Sequence, residues 1–241
     1  GFDVVTDPTK WQLFTSGVEQ SIIVHPAGDY IEFYAKGILT IESDTRYYYL
    51  YNGATAGKRI GSRVSRSNGT AVVSKNYSHE YRLTRKKNYI YDILNGEADN
   101  YWGDIFTNTP LNLALNVTGI DTTVATTQVN VSFQGFSTNA HAATVSINGT
   151  ALGVVNGSGQ TGFSANFTVP TSILIEGANT LTVSSSSGSD LILFDTIKIG
   201  YARRYSADLN RTSFYSAPYR RSTVTGFTSQ NIRLFDITTE G

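Results

Sequence analysis

The feature that most constrains this chain is its periodicity. Apolar and polar residues alternate over and over, while helical spacing is nearly absent. Runs such as Tyr30-Ile-Glu-Phe-Tyr, Gln128-Val-Asn-Val-Ser-Phe, Ala143-Thr-Val-Ser-Ile and Asn179-Thr-Leu-Thr-Val each place every second side chain on one face. Asn-Gly pairs at 52–53, 68–69, 95–96, 148–149 and 156–157 punctuate them. Such pairs accept the positive φ angles of tight hairpins, and Asn148-Gly149, between TVSI and TALGVV, is the strongest hairpin signal. Short strands at regular spacing without intervening helices predict an all-β fold of mostly antiparallel β-sandwich or jelly-roll modules. Almost no helix is expected beyond one turn at Thr171 to Ile175, stopped by Glu176-Gly177.

Composition narrows the chemistry. The chain of 241 residues has no cysteine, which removes disulfides, zinc–thiolate sites and thiol nucleophiles together. No apolar run is long enough to span a bilayer, so no membrane span is expected. The chain starts at Gly1 and contains no Met, and is expected to be a piece of a longer protein. Net charge is zero but unevenly laid out. Residues 58–87 carry nine Lys and Arg against the single acid Glu80, whereas residues 88–197 carry eight acids and no Lys or Arg. Such blocks mark a change of module. Three segments are therefore expected: a β-sandwich-like module over 1–104, a jelly-roll module over 105–202, and strands over 203–241 that pack back on the first.

The basic runs KRIGSRVSR (58–66) and RLTRKK (82–87) have Tyr77, Tyr81, Tyr89 and Tyr91 for company. Read with zero net charge and no nucleic-acid-binding signature, they are solvated strands whose charges blunt sheet edges, and no nucleic acid is expected as a partner. The three histidines, His25, His79 and His141, show no metal-binding spacing, and no Gly-X-Ser-X-Gly elbow occurs.

Two places hold groups that need a reason. In LILFDTIKI (191–199), alternation sets Asp195 on one face with Leu191, Leu193, Ile197 and Ile199. A carboxylate aimed at a core must accept hydrogen bonds at a bulge, meet Arg203 or Arg204, or hold a cation. Structural pairing ranks first, with the Thr196 hydroxyl favouring a local kink. The stretch DILNGEADNYWGD (92–104) is the most ligand-like. Asp92, Asp99 and Asp104 offer the hard oxygens calcium prefers, although the EF-hand spacing is missing. Tyr101 and Trp102 beside Glu97 and Asp99 form a candidate ligand-binding set, with a glycosidase acid pair as its catalytic extreme. The plainer reading is an acidic turn whose Trp packs inward. No residue is assigned as catalytic, and no cofactor beyond calcium is considered.

A family resemblance rests on particular blocks. GDYIEFYAKG with DTRYYYLYNG (28–53), LNGEADNYWGD (94–104) and VTGFTSQNIRLFDIT (224–238) resemble the β-rich region ahead of the catalytic domain in bacterial gingipain-type cysteine peptidases. One departure is Gly37-Ile-Leu-Thr, where relatives tend to carry Asp before the Thr. VSINGTALG, IEGANTLTV and LILFDTIKIGYARR are similar to galactose-binding-like jelly rolls. The resemblance implies a secreted or cell-surface protein whose peptidase domain follows Gly241. This chain would then be its non-catalytic accessory module, a spacer or a binder of glycan or protein. The alternatives are a pro-region-like element packed on its own peptidase domain, and a glycoside-active enzyme using the acids near Trp102.

Overall fold

The computed structural model describes residues 2–38, 40, 43–64 and 69–238. Leu39 of the departing block, Ser65 and Arg66 of the basic run, and the Asn68 of one Asn-Gly pair lie outside them. The chain divides into two compact units, Gly1–Arg66 with Arg233–Gly241, and Ser67–Ile232.

Among the described residues, the first unit is built from five short strands: β1 (Trp11–Thr15), β2 (Val18–Gln20), β3 (Ile22–Val24), β4 (Ile31–Phe33) and β5 (Tyr49–Asn52). β1 lies between β2 and β5 in an antiparallel sheet, and β3 pairs with β4. Alternation decides the faces of β1. Trp11, Leu13 and Thr15 are buried, and the first two join Ile22 in a small core. Phe14, Tyr49 and Tyr51 fall on the opposite face, where both tyrosines stay exposed. Arg233 brings the C-terminal residues onto this unit through an ion pair with Glu32.

The second unit contains β6 (Val72–Ser74), β7 (Asn76–Thr84), β8 (Asn88–Tyr89), β9 (Tyr101–Trp102), β10 (Ile105–Phe106), β11 (Leu111–Val117), β12 (Thr126–Gly135), β13 (Ala140–Ile147), β14 (Thr150–Ser158), β15 (Gly162–Pro170), β16 (Gly177–Ser185), β17 (Ile192–Arg204) and β18 (Arg220–Ser222). Two antiparallel sheets stack into a sandwich. One runs β10-β17-β12-β15 with β7 also on β17, and the other runs β11-β16-β13-β14. Inward residues of both sheets, among them Leu115, Val131, Phe133, Val145, Leu181 and Ile197, make one continuous core. The β13–β14 hairpin turns at Asn148-Gly149, both at positive φ (50° and 79°). The helical turn shrinks to a 3₁₀ turn at Thr171–Ile173. No helix among the described residues is long and apolar enough to cross a membrane.

The segment boundaries differ from those expected. Residue 104 is not a boundary, because β7 pairs with β17 over nine residues and draws the basic run 82–87 into the second unit. Residue 202 falls inside β17. The C-terminal segment is shared. β18 lies parallel to β6 in the second unit, and only Arg233–Gly241 belong to the first.

Candidate functional site

The puzzle of Asp195 is resolved by a bulge. Phe194 pairs with Phe133 and Thr196 with Ser132, so Asp195 is an extra residue with no partner on β12. An inserted residue reverses the alternation beyond it. Ile192 and Phe194 therefore enter the sandwich core before the bulge, and Ile197, Ile199 and Tyr201 enter it after. Asp195 does not share the core face, as strict alternation would have it. Its carboxylate is half-buried, and among the described residues only the Thr196 hydroxyl, at 3.4 Å, comes within hydrogen-bonding range. Burial pushes its pKa up against that hydroxyl, and the charge of Asp99 adds to the rise while Lys198 and Lys86 offset part of it.

The expected pairing of Asp195 with Arg203 or Arg204 is not formed. Arg203 is buried and spends its guanidinium on the Thr118 carbonyl (3.0 Å), the Tyr77 hydroxyl (2.7 Å) and the Thr118 and Thr212 hydroxyls (both 3.3 Å). Arg204 meets Glu176 at 3.7 Å. Both arginines lie beyond the bulge, nearer the far end of β17.

The 92–104 stretch does not assemble the calcium set. Asp99 is held by Lys86 and by the Tyr101 N–H (2.8 Å), Asp104 is held by Lys87, and Asp92 stands exposed. Among the described residues, no three His, Asp or Glu side chains converge on a cation position. Trp102 does not face a ligand. It is buried with Ile93 and Leu193, while Tyr101, on the other face of the two-residue β9, is exposed against Tyr89. Glu97 is exposed. With Trp102 turned inward, the four residues do not form one surface.

What the structure does build here is a cleft of about 590 Å³. Arg85, Lys86 and Lys87, with Asp104 beside them, line one wall just past β7, and residues 111–113 at the start of β11 line the other. Arg85 packs its Cβ against Gly103, where a Cβ would stand 2.7 Å from it. Its guanidinium has no acidic partner among the described residues, unlike its two lysine neighbours.

Sequence reasoning missed a second cluster, where β13, the end of β16 and the segment before β17 meet. His141 and Asp190 are both buried, with Nδ1 2.5 Å from Oδ1. The other ring nitrogen faces the Gly159 carbonyl at 2.9 Å, and the ring stacks on Phe163. The second carboxylate oxygen accepts from the Ser185 hydroxyl (2.5 Å) and the Ala142 N–H (3.3 Å). Burial raises the Asp190 pKa, but the bonds from Ser185, His141 and Ala142 outweigh it and hold the group below the usual carboxylate range. Serine, histidine and aspartate meet here in the wrong order for a hydrolase. The serine binds the carboxylate instead of the imidazole, and neither ring nitrogen is left as a base. The cluster fastens β13, the end of β16 and the β14–β15 turn to the segment that leads into β17.

No family model matches the chain, and no curated protein matches it. Among solved structures, the chain is similar to dimeric latent PorU from Porphyromonas gingivalis, with a TM-score of 0.61 at 13% identity over 88% of this chain and 24% of that one. The CBM36-1 domain of a multidomain xylanase from the hindgut metagenome of Trinervitermes trinervoides gives a TM-score of 0.34 at 15% identity, over 51% of this chain and 97% of its own. CBM35 from Cellvibrio japonicus Abf62 gives 0.37 at 16% identity, over 52% and 97%. The resemblance drawn from the sequence is thus matched at the level of fold by part of PorU. This chain spans about a quarter of that protein's length.

Proposed function

We propose that this chain is a non-catalytic β-module of a larger, secreted or surface-exposed gingipain-like peptidase, where it positions its neighbour and offers binding surface. The likeness to about a quarter of PorU, running through most of this chain, carries the reading. The fate of the reactive groups supports it. The Ser185–Asp190–His141 cluster is consumed in packing, and the acids of 92–104 are held by lysines or dispersed. The test is to purify the chain and assay peptide-bond and glycoside hydrolysis. The region following Gly241, made separately, is then added and complex formation followed by analytical ultracentrifugation. No turnover and a stoichiometric complex are expected. Hydrolysis by the chain alone, lost in Glu97→Gln and Asp99→Asn, would replace this reading with the glycosidase.

A second reading, glycan binding, is favoured by the open face of the first unit. There Tyr49 and Tyr51 are 53% and 54% exposed beside Phe14, presenting flat rings with polar tips. A glycan array probed with wild type and with Tyr49→Ala/Tyr51→Ala checks this, since binding through that face must vanish in the double variant.

A further inference from the structure

β11 is an edge strand with none of the usual protection. Its sequence, LNLALNV, contains no charge, proline or glycine, whereas natural sheets generally blunt an exposed edge with one of these or with a bulge. One side of β11 pairs with β16 along all seven residues, in unbroken register. The other side is open. Asn116 sends its N–H off the sheet to the Tyr81 hydroxyl on β7, at 3.3 Å. In an antiparallel ladder, alternate residues point the same way, so Asn112 and Ala114 direct their N–H and C=O groups to that side too. Thr180 agrees. Opposite Ala114, it turns its own N–H and C=O to Asn148, at 2.9 Å each. Among the described residues, no hydrogen bond reaches the outward groups of Asn112 or Ala114.

β7 and β11 touch at Tyr81 and Asn116 and part toward residues 84–87, where the 590 Å³ cleft opens. The wall facing Asn112 carries Arg85, which has no acidic partner among the described residues, and Lys87, whose charge is met by Asp104 at the same cleft. Two outward backbone pairs, about 6.8 Å apart along the strand, match the alternate residues of an extended peptide. A saccharide has no such repeat of paired donors and acceptors.

We propose that this open side receives an extended, acid-bearing segment of a partner protein, which adds to β11 as a further strand and sets a carboxylate against Arg85. This goes beyond the module reading and does not depend on it. The probe is a fluorescein-labelled peptide of alternating Thr and Val ending in two Asp, followed by anisotropy and by amide exchange of Asn112 and Ala114.

Saturable binding that slows exchange at both amides is expected. Arg85→Glu weakens it about tenfold, the loss of one charge-assisted contact. Ala114→Pro abolishes it, with thermal melting to confirm that the variant folds. Should that variant fail to fold, the wild-type protein still decides the matter with peptides N-methylated at alternate amides, in either register. One methylated form must not bind. Equal binding of all methylated forms, or a peptide silent to ~1 mM while polygalacturonate binds in an Arg85-dependent way, would overturn the proposal.

Discussion

The two long sides of the sandwich in the second unit are built on opposite principles. On the β14/β15 side, the chain crosses from one sheet to the other through residues 159–161. Phe163 lies on the backbone of Gly157 and Phe167 on that of Gly153, so closely that a Cβ would stand 2.5 Å and 2.9 Å from the rings. The end is fastened by a buried carboxylate, Asp190, whose partners are all supplied. On the β7/β11 side, residues 107–110 carry the chain from β10 to β11 and the Tyr81 hydroxyl ties β7 to β11, while among the described residues Arg85 has no acid and Asp195 no cation. The difference follows from chain order. β14 and β15 are consecutive, so a short turn closes them, with little entropy lost to the loop. β7 and β11 are separated by residues 85–110, which are spent on β8, β9 and β10. One side is made for stability, and the other keeps its polar groups available.

The comparison breaks first at Asp190. Asp190→Ala strands the His141 ring and the Ser185 hydroxyl in a dry site, and is expected to cost about 3–5 kcal/mol. Asp195→Ala on the open side is expected to cost less than about 1 kcal/mol. Each unit contains one of the two tryptophans, so a Trp11→Phe background lets Trp102 fluorescence report urea unfolding of the second unit alone. Equal losses at the two aspartates would erase the distinction. A smaller effect is expected from Gly157→Ala. The new methyl group meets the Phe163 ring, and overpacking of this kind costs about 1–3 kcal/mol. No measurable loss in the same assay would mean that the closed side is loosely packed after all.

How much of this was legible in the sequence depended on how local the cause was. Alternation and Asn148-Gly149 marked strands and a hairpin because period and turn chemistry act within a few residues. The Asp195 bulge was not visible. One extra residue reverses the faces, and nothing in Phe-Asp-Thr announces it beyond the carboxylate's own awkwardness. Trp102 beside four acids read equally as a sugar platform or a core residue, and Leu193, far along the chain, decided for the core. His141 and Asp190 are 49 residues apart with no motif between them, and only the stacking of the sheets brings them together. The unit boundary failed for the same reason, since pairing of β7 with β17 is a long-range event.

The finest distinction lies in how the two carboxylates respond to acid. The folded-state pKa of Asp190 lies below the ordinary 3.8, so its contribution is present at neutral pH and is lost as pH falls below that value. Asp195 has the opposite sign. Its folded-state pKa lies above 3.8, so folding favours the protonated form, and the group subtracts stability as pH rises toward neutrality. Asp195→Asn should therefore be slightly more stable than wild type near pH 7, with the gain vanishing near pH 3. Asp190→Asn should be less stable than wild type near pH 7, and its deficit should begin to shrink only as pH falls below 3.8. Urea midpoints collected at several pH values for the three proteins give two difference curves that converge on wild type from opposite sides. Curves of the same sign would mean that burial, and not the supply of partners, governs both aspartates.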